Sequence, residues 1–128
     1  METLDYNDLR RYEFFPGVYG RVLLSGDRMT FFLVEIPPGS VVPSHSHPHE
    51  QMGVCLSGEA VFTCNGVRKT VRKGMVYRIK PYESHEVRVY GPENGVFLDV
   101  FSPPRVEYVE KQKFMEGEPK DSASEGRS

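Results

Sequence analysis

The sequence has little of what marks membrane-bound, secreted or nucleic-acid-binding proteins. Its 128 residues carry 16 Lys and Arg against 18 Asp and Glu, a formal net charge of -2, so there is no basic excess to attract nucleic acid. No apolar run approaches the roughly 20 residues that cross a bilayer. The N-terminal residues 1–6 lack the charged and apolar regions of a signal peptide. We therefore predict a single-domain cytoplasmic protein with a small-molecule partner.

Cysteine is also scarce, which excludes a disulfide framework. Only Cys55 and Cys64 are present. They flank a predicted hairpin turn at Ser57-Gly58, in which Cys55 would face Ala60 and Cys64 would face Gln51. The two thiols would then not be cross-strand neighbours, and we predict that both are reduced.

What the chain does have is a series of short β-branched and aromatic segments separated by turn residues, which is typical of an all-β sandwich or barrel. The predicted strands are Arg21–Leu24, Met29–Ile36, Gln51–Leu56, Ala60–Cys64, Lys69–Arg72, Met75–Ile79, His85–Tyr90 and Val96–Phe101. Besides Ser57-Gly58, turns are predicted at 25–27, 65–66 and 93–95, where residues tolerate a positive φ.

Two segments bear on assembly and domain limits. The predicted strand Gln51–Leu56 lacks charge on both faces, so we expect both to be covered. One face would line the interior, and the other would meet a second sheet or a second subunit, which favours a homodimer. Residues 111–128 are too polar to form a core. We predict a folded domain over residues 1–110 and a mobile tail over 111–128.

The histidines carry the first functional signal, because all 4 of them fall between positions 45 and 85. His45 and His47 are two residues apart, so on an extended strand their side chains leave the same face. With Gln51 and His85 from neighbouring segments, they predict a site for one divalent metal ion. His49 and Glu50 are substitutes if the register shifts by a residue. Otherwise both are expected to face solvent.

The spacing around these ligands resembles a known pattern. Gly39, His45, His47, Gln51 and Gly58 match the first motif of the cupin superfamily, with Gln51 where that family usually has Glu. The resemblance implies an all-β, double-stranded β-helix, a jelly-roll barrel with the metal inside.

The second cupin motif is matched in outline. Gly74, the apolar stretch 77–79 and His85 fit it, but the family usually has Pro, Gly and Asn at the positions of the three residues Lys80, Tyr82 and Val89. These departures bear on the loop before His85 rather than on the ligand itself.

Gln51 and the residues of the last predicted strand, Val96–Phe101, indicate which kind of reaction the site would catalyse. The neutral amide oxygen of Gln51 leaves the site its full positive charge, which favours Lewis-acid chemistry over redox cycling. Asp99 and Phe101 share a face by strand parity. Pro103-Pro104 stiffens a turn that would bring Arg105 over the cavity mouth, where a guanidinium binds a carboxylate with two hydrogen bonds.

Together, these residues resemble the small pectin-degradation cupins, which convert 4,5-unsaturated monouronates to linear keto sugar acids. The resemblance implies a divalent metal (Ni, Zn, Mn or Fe) held by three histidines and Gln51, with Asp99 in proton transfer and Phe101 and Arg105 contacting the sugar acid. The histidines are those at positions 45, 47 and 85. A metal-dependent dioxygenase and a non-catalytic sugar-binding or sensor protein are the alternatives.

Overall fold

A computed structural model describes residues 1–117, and in them ten strands form two antiparallel sheets. The strands are β1 (Tyr12–Phe15), β2 (Val18–Ser25), β3 (Thr30–Ile36), β4 (Val41–His45), β5 (Glu50–Ser57), β6 (Glu59–Cys64), β7 (Val67–Arg72), β8 (Val76–Ile79), β9 (His85–Arg88) and β10 (Gly95–Ser102). A 3-10 helix, Tyr6–Asp8, precedes them, and helix α1, Val106–Glu116, follows them.

The larger sheet has the order β1-β2-β3-β10-β5-β8 and the smaller one β4-β9-β6-β7. Apolar residues on the facing sides of both sheets form one core, which Phe14, Phe32, Phe62 and Phe97 dominate. The predicted double-sheet jelly roll is therefore confirmed. All eight predicted strands overlap observed ones, whereas β1 and β4 were not predicted. β4 contains Pro43, which is tolerated because β4 lies at the edge of its sheet.

The predicted hairpin at Ser57-Gly58 is wrong. β5 pairs with β10 and β8 in the larger sheet, whereas β6 pairs with β7 and β9 in the smaller one, so the turn carries the chain from one sheet to the other. Gly58 has a φ of 69°, and its carbonyl accepts a hydrogen bond from the Lys73 amide. Cys55 and Cys64 lie in different sheets and are both free, as predicted.

Residues 111–116, which we expected in the tail, form the second half of α1. The helix docks on the larger sheet through the Tyr108 ring, which joins the core, and through polar groups. The buried Gln112 side chain accepts a 2.7 Å hydrogen bond from the Val22 amide, and Lys111 Nζ donates to the Phe14 carbonyl at 2.6 Å. These contacts explain how so polar a segment is ordered. The rest of the predicted tail, from residue 118, lies outside the described residues.

No part of residues 1–117 covers the outer face of β5. Met52 is 50% exposed, and Val76 on neighbouring β8 is 76% exposed. The second sheet covers only the inner face, so a second subunit on the outer face stays a prediction. No helix in the described part of the chain is long and apolar enough to span a membrane.

Candidate active site

Three histidines converge at the centre of the candidate site. His45, the last residue of β4, lies directly opposite His85 on β9, and His47 follows in the loop after β4. One ligand atom from each lies within 4.8 Å of the others. The predicted group is thus brought together, although strand parity explains it only in part, because β4 ends at His45 and its pairing is irregular between Val42 and His45.

Backbone carbonyls orient two of the imidazoles. His45 Nδ1 donates to the Pro43 carbonyl, and His85 Nδ1 donates to the Glu83 carbonyl, each at 2.8 Å. Nε2 of each ring is then the nitrogen with a free lone pair, an arrangement that is usual for metal-binding histidines. Burial lowers the pKa of all three histidines, that of His47 to about 4. Neutral imidazoles at pH 7 are ready to bind a metal ion.

Gln51 joins the histidines to a carboxyl group. It is a buried residue of β5, and its Oε1 lies 3.1 Å from His47 Nε2. A separation of about 3 Å is what two neighbouring ligands about 2.1 Å from one ion would have. The side chain also hydrogen-bonds Asp99 and thereby lowers its pKa, so the Gln51 amide donates to the carboxyl oxygens. The His and amide donors therefore fit a divalent ion.

Asp99 is the buried acid of the cavity, only 5% exposed. Burial raises its pKa from 3.8 to about 6, against the opposing effects of hydrogen bonds from Tyr77 and Gln51 and of the Arg105 charge. A carboxyl group with this pKa takes up and releases a proton near neutral pH, which suits general acid–base catalysis.

Arg105 is held between two rings. Its guanidinium carbon lies 3.8 Å from the ring centroid of Tyr108 on α1 and 4.7 Å from that of Phe101 on β10. Arg105 Nε donates to Glu107 Oε1 at 2.8 Å. Within residues 1–117, the side-chain hydrogen bonds of Arg105 use Nε alone, which leaves both terminal nitrogens for an anionic ligand.

One cavity between the sheets brings these groups together. His47 borders it, with its ring centroid 5.0 Å from that of His85 and 5.6 Å from that of Phe101. Six of the seven predicted site residues line the cavity directly: His45, Gln51, His85, Asp99, Phe101 and Arg105.

Our expectation for His49 is wrong. We expected it to face solvent, but it is 6% exposed and packs against His47, and its Nδ1 has no hydrogen-bond partner among the described residues. Glu50 is partly exposed and lies 3.6 Å from Arg78.

Sequence reasoning also missed Tyr77 and Tyr108, both of which line the cavity. Parity with Ile79 on the same strand was a signal for Tyr77. Tyr108 falls in the helix that the sequence did not predict.

The family is decided by a match to a family model. The model described as the cupin domain matches residues 32–101, more than half of the chain. The protein belongs to the cupin family.

Two curated proteins are similar to this cupin. One is the H2HPP isomerase of Bacillus subtilis, 31% identical over 102 residues, which are 73% of this chain and 43% of that protein. The chain thus spans less than half of that relative's length. The other is the pectin degradation protein KdgF of Dickeya dadantii, 24% identical over 94 residues, which are 73% of this chain and 84% of that protein.

Solved structures agree on the fold. The structure of KdgF from Halomonas sp. superposes on this cupin with a TM-score of 0.78 at 18% identity, covering 84% of this chain and 98% of that one. A predicted oxalate decarboxylase from Thermotoga maritima gives a TM-score of 0.71 at 26% identity, covering 79% of this chain and 98% of that one.

Proposed function

We propose that this cupin is an enzyme that converts 4,5-unsaturated monouronates to linear keto sugar acids. One observation carries the proposal: a buried carboxyl group with a raised pKa, Asp99, shares a cavity with a histidine cluster and a buried guanidinium. The guanidinium suits a substrate that is an anion, and the carboxyl group suits a substrate with an enol ether that reacts on protonation. The names of the Dickeya and Halomonas proteins support the same assignment.

In this proposal His45, His47 and His85 hold one divalent metal ion, with Gln51 as the fourth, weaker ligand. The free Nε2 atoms of His45 and His85, the neutral imidazoles and the amide oxygen beside His47 Nε2 support it. When bound, the ion supplies Lewis-acid chemistry and a fixed positive charge. Ni, Zn, Mn and Fe are all compatible with a nitrogen and oxygen donor set.

Asp99 moves the proton. Neutral Asp99 gives its proton to one carbon of the ring double bond, and the oxygen of a water molecule bonds to the adjacent carbon, which carries the ring oxygen. The carboxylate takes the proton that the water releases. The resulting hemiketal collapses to a ketone as the ring carbon–oxygen bond breaks and the proton of the new hydroxyl passes to the ring oxygen. A pKa of about 6 supports both directions of transfer at neutral pH.

Arg105 binds the substrate carboxylate, and Phe101 supports it. The Glu107 contact and the two flanking rings fix the plane of the guanidinium, so little conformational entropy is lost when it binds a carboxylate through two hydrogen bonds. Phe101 also lies in register with Gln51, next to the histidines. The bound anion would therefore reach both Asp99 and the metal ligands.

Metal analysis followed by an ultraviolet assay tests the proposal. Purified protein should contain one divalent ion per chain, and an unsaturated galacturonate should lose its absorbance as the double bond disappears. Asp99→Asn is the control for catalysis. Consumption of oxygen with substrates other than uronates would favour a dioxygenase. Specific binding of a sugar acid without turnover would favour a binding protein.

A further inference from the structure

Tyr77 reaches Asp99 across an intervening strand. Tyr77 lies on β8 and Asp99 on β10, and β5 runs between them. The Tyr77 hydroxyl nevertheless donates a short hydrogen bond to Asp99 Oδ1. Gly53 of β5 is the residue in register with both, opposite Tyr77 on one side and Asp99 on the other.

The absence of a side chain at Gly53 makes this contact possible. Neighbouring strands are about 4.8 Å apart, so two strand spacings separate the backbones of Tyr77 and Asp99. A tyrosine side chain is long enough to cover most of that distance. It can do so only if no side chain of the middle strand blocks its path. A Cβ atom at Gly53 would collide with the Tyr77 hydroxyl and with Asp99 Oδ1.

The hydroxyl is a constant donor. Burial, followed by the effects of Asp99, raises the pKa of Tyr77 well above its usual value of 10. The ring is fixed by contacts with Phe62 and Phe97, at centroid distances of 4.7 and 6.3 Å. The fixed phenol therefore holds Asp99 Oδ1 in one place and, with it, the plane of the carboxyl group.

We propose that Tyr77 is a positioning residue, which, through the gap above Gly53, fixes the plane of the Asp99 carboxyl group for proton transfer. The role in catalysis rests on the proposed function. Because the Tyr77 hydroxyl is bonded to Asp99, its loss should affect proton transfer more than substrate binding.

Kinetics of Tyr77→Phe test this role. The variant keeps the ring and loses the hydroxyl, and we expect the turnover number to fall about 10-fold or more, the loss expected for one hydrogen bond to an ionisable group, with KM within about twofold. Tyr12→Phe, which removes a hydroxyl from another mostly buried tyrosine outside the cavity, should leave turnover unchanged.

A double-mutant cycle separates positioning from general loosening of the fold. If Tyr77 acts through Asp99, Tyr77→Phe should have no further effect in the Asp99→Asn background. An equal loss in both backgrounds would overturn the proposal, as would wild-type turnover in Tyr77→Phe alone.

Proton NMR tests the contact without substrate. A hydroxyl resonance protected from exchange with water should disappear in Tyr77→Phe, which assigns it, and also in Gly53→Ala. Such a resonance supports the contact between Tyr77 and Asp99 whether or not the protein converts uronates. If the wild-type protein leaves uronates unchanged, that result overturns the proposed function alone. Its absence from the folded wild-type protein would overturn the positioning role.

Discussion

Replacing Asp99 by Asn should make the protein a poorer catalyst and a more stable fold. The change is nearly isosteric; it removes the ionisation of the side chain and replaces one acceptor oxygen by an amide donor. If Asp99 transfers the proton, the turnover number should fall by about 10² to 10⁴. At neutral pH the folded state should gain stability, because a buried carboxylate no longer has to be ionised there.

The size of the gain follows from the pKa. Burial raises the pKa of Asp99 from 3.8 to about 6. Each pKa unit corresponds to about 1.4 kcal/mol, so the wild-type protein loses at most about 3 kcal/mol of unfolding free energy to this group as the pH rises from 4 to above 6. In that window the unfolded chain has released the proton and the folded protein still holds it. Asn contributes no such loss.

His47 has the opposite effect in the same window. Its pKa falls from 6.5 to about 4 in the folded protein, mainly through burial, so its contribution to stability rises as the pH rises from 4 to above 6. The two effects partly cancel in the wild-type curve. Only the difference between wild type and Asp99→Asn isolates the carboxyl group.

Urea unfolding of chelator-treated protein measures that difference. Between pH 4 and pH 8 the stability of Asp99→Asn relative to wild type should increase by about 1 to 3 kcal/mol. A difference that does not change with pH would refute the idea that Asp99 has a raised pKa in the fold. Full turnover in the variant would assign proton transfer to another group.

Four further predictions follow from the site and the exposed face. His47→Ala should lose its metal on dialysis against chelator, as measured by elemental analysis, and stoichiometric retention would remove His47 from the ligand set. Gln51→Glu should still bind metal, because a carboxylate adds charge attraction, but its turnover should fall since it no longer donates to Asp99. Arg105→Ala should weaken apparent substrate affinity by roughly 1.5 to 3 kcal/mol and Arg105→Lys should raise KM more than it lowers turnover, both with unchanged metal content. If two subunits pack through the outer face of β5, Met52→Lys should yield monomers in sedimentation, whereas a monomeric wild type would refute the dimer.

Strand parity correctly predicted that Asp99 and Phe101 share one face of β10. Gly95, Phe97, Asp99 and Phe101 alternate inward along that strand, as the period of two requires. Parity states which face a residue takes, but it does not state which strand lies alongside. That is why the shared face of Asp99 and Phe101 was predicted, whereas the bond between Asp99 and Tyr77 was not.

The turn at Ser57-Gly58 is a second case in which the local sequence does not identify the neighbouring strand. A glycine with a positive φ serves a hairpin and a crossing between sheets equally well. The choice depends on bonds to distant segments, such as those from the Cys55 amide to the Met75 carbonyl and from the Gly74 amide to the Cys55 carbonyl. Such partners cannot be identified from the local sequence.

Helix α1 was missed because its apolar and polar residues are not separated into distinct faces. Its buried residues are Tyr108 and Gln112, and Gln112 satisfies the backbone of Val22 at an irregularity in the pairing of β2 with β3. Sequence patterns predict helices from a stripe of apolar residues, which this segment lacks. The consequence for function is direct, because Tyr108 is one of the two rings that hold Arg105.

The loop before His85 explains how the site tolerates departures from the family pattern. Tyr82 has a φ of 64°, a conformation that glycine adopts without strain, which accounts for the glycine usual at this position. Its amide donates to the His47 carbonyl at 2.8 Å, tying the loop to the histidine cluster. Where the family usually has proline, the Lys80 amide donates to Glu83 Oε1 at 3.1 Å, a bond that proline could not make. Glu83 is also the residue whose carbonyl orients the His85 ring, so this bond ties the start of the loop to the residue that positions the proposed ligand.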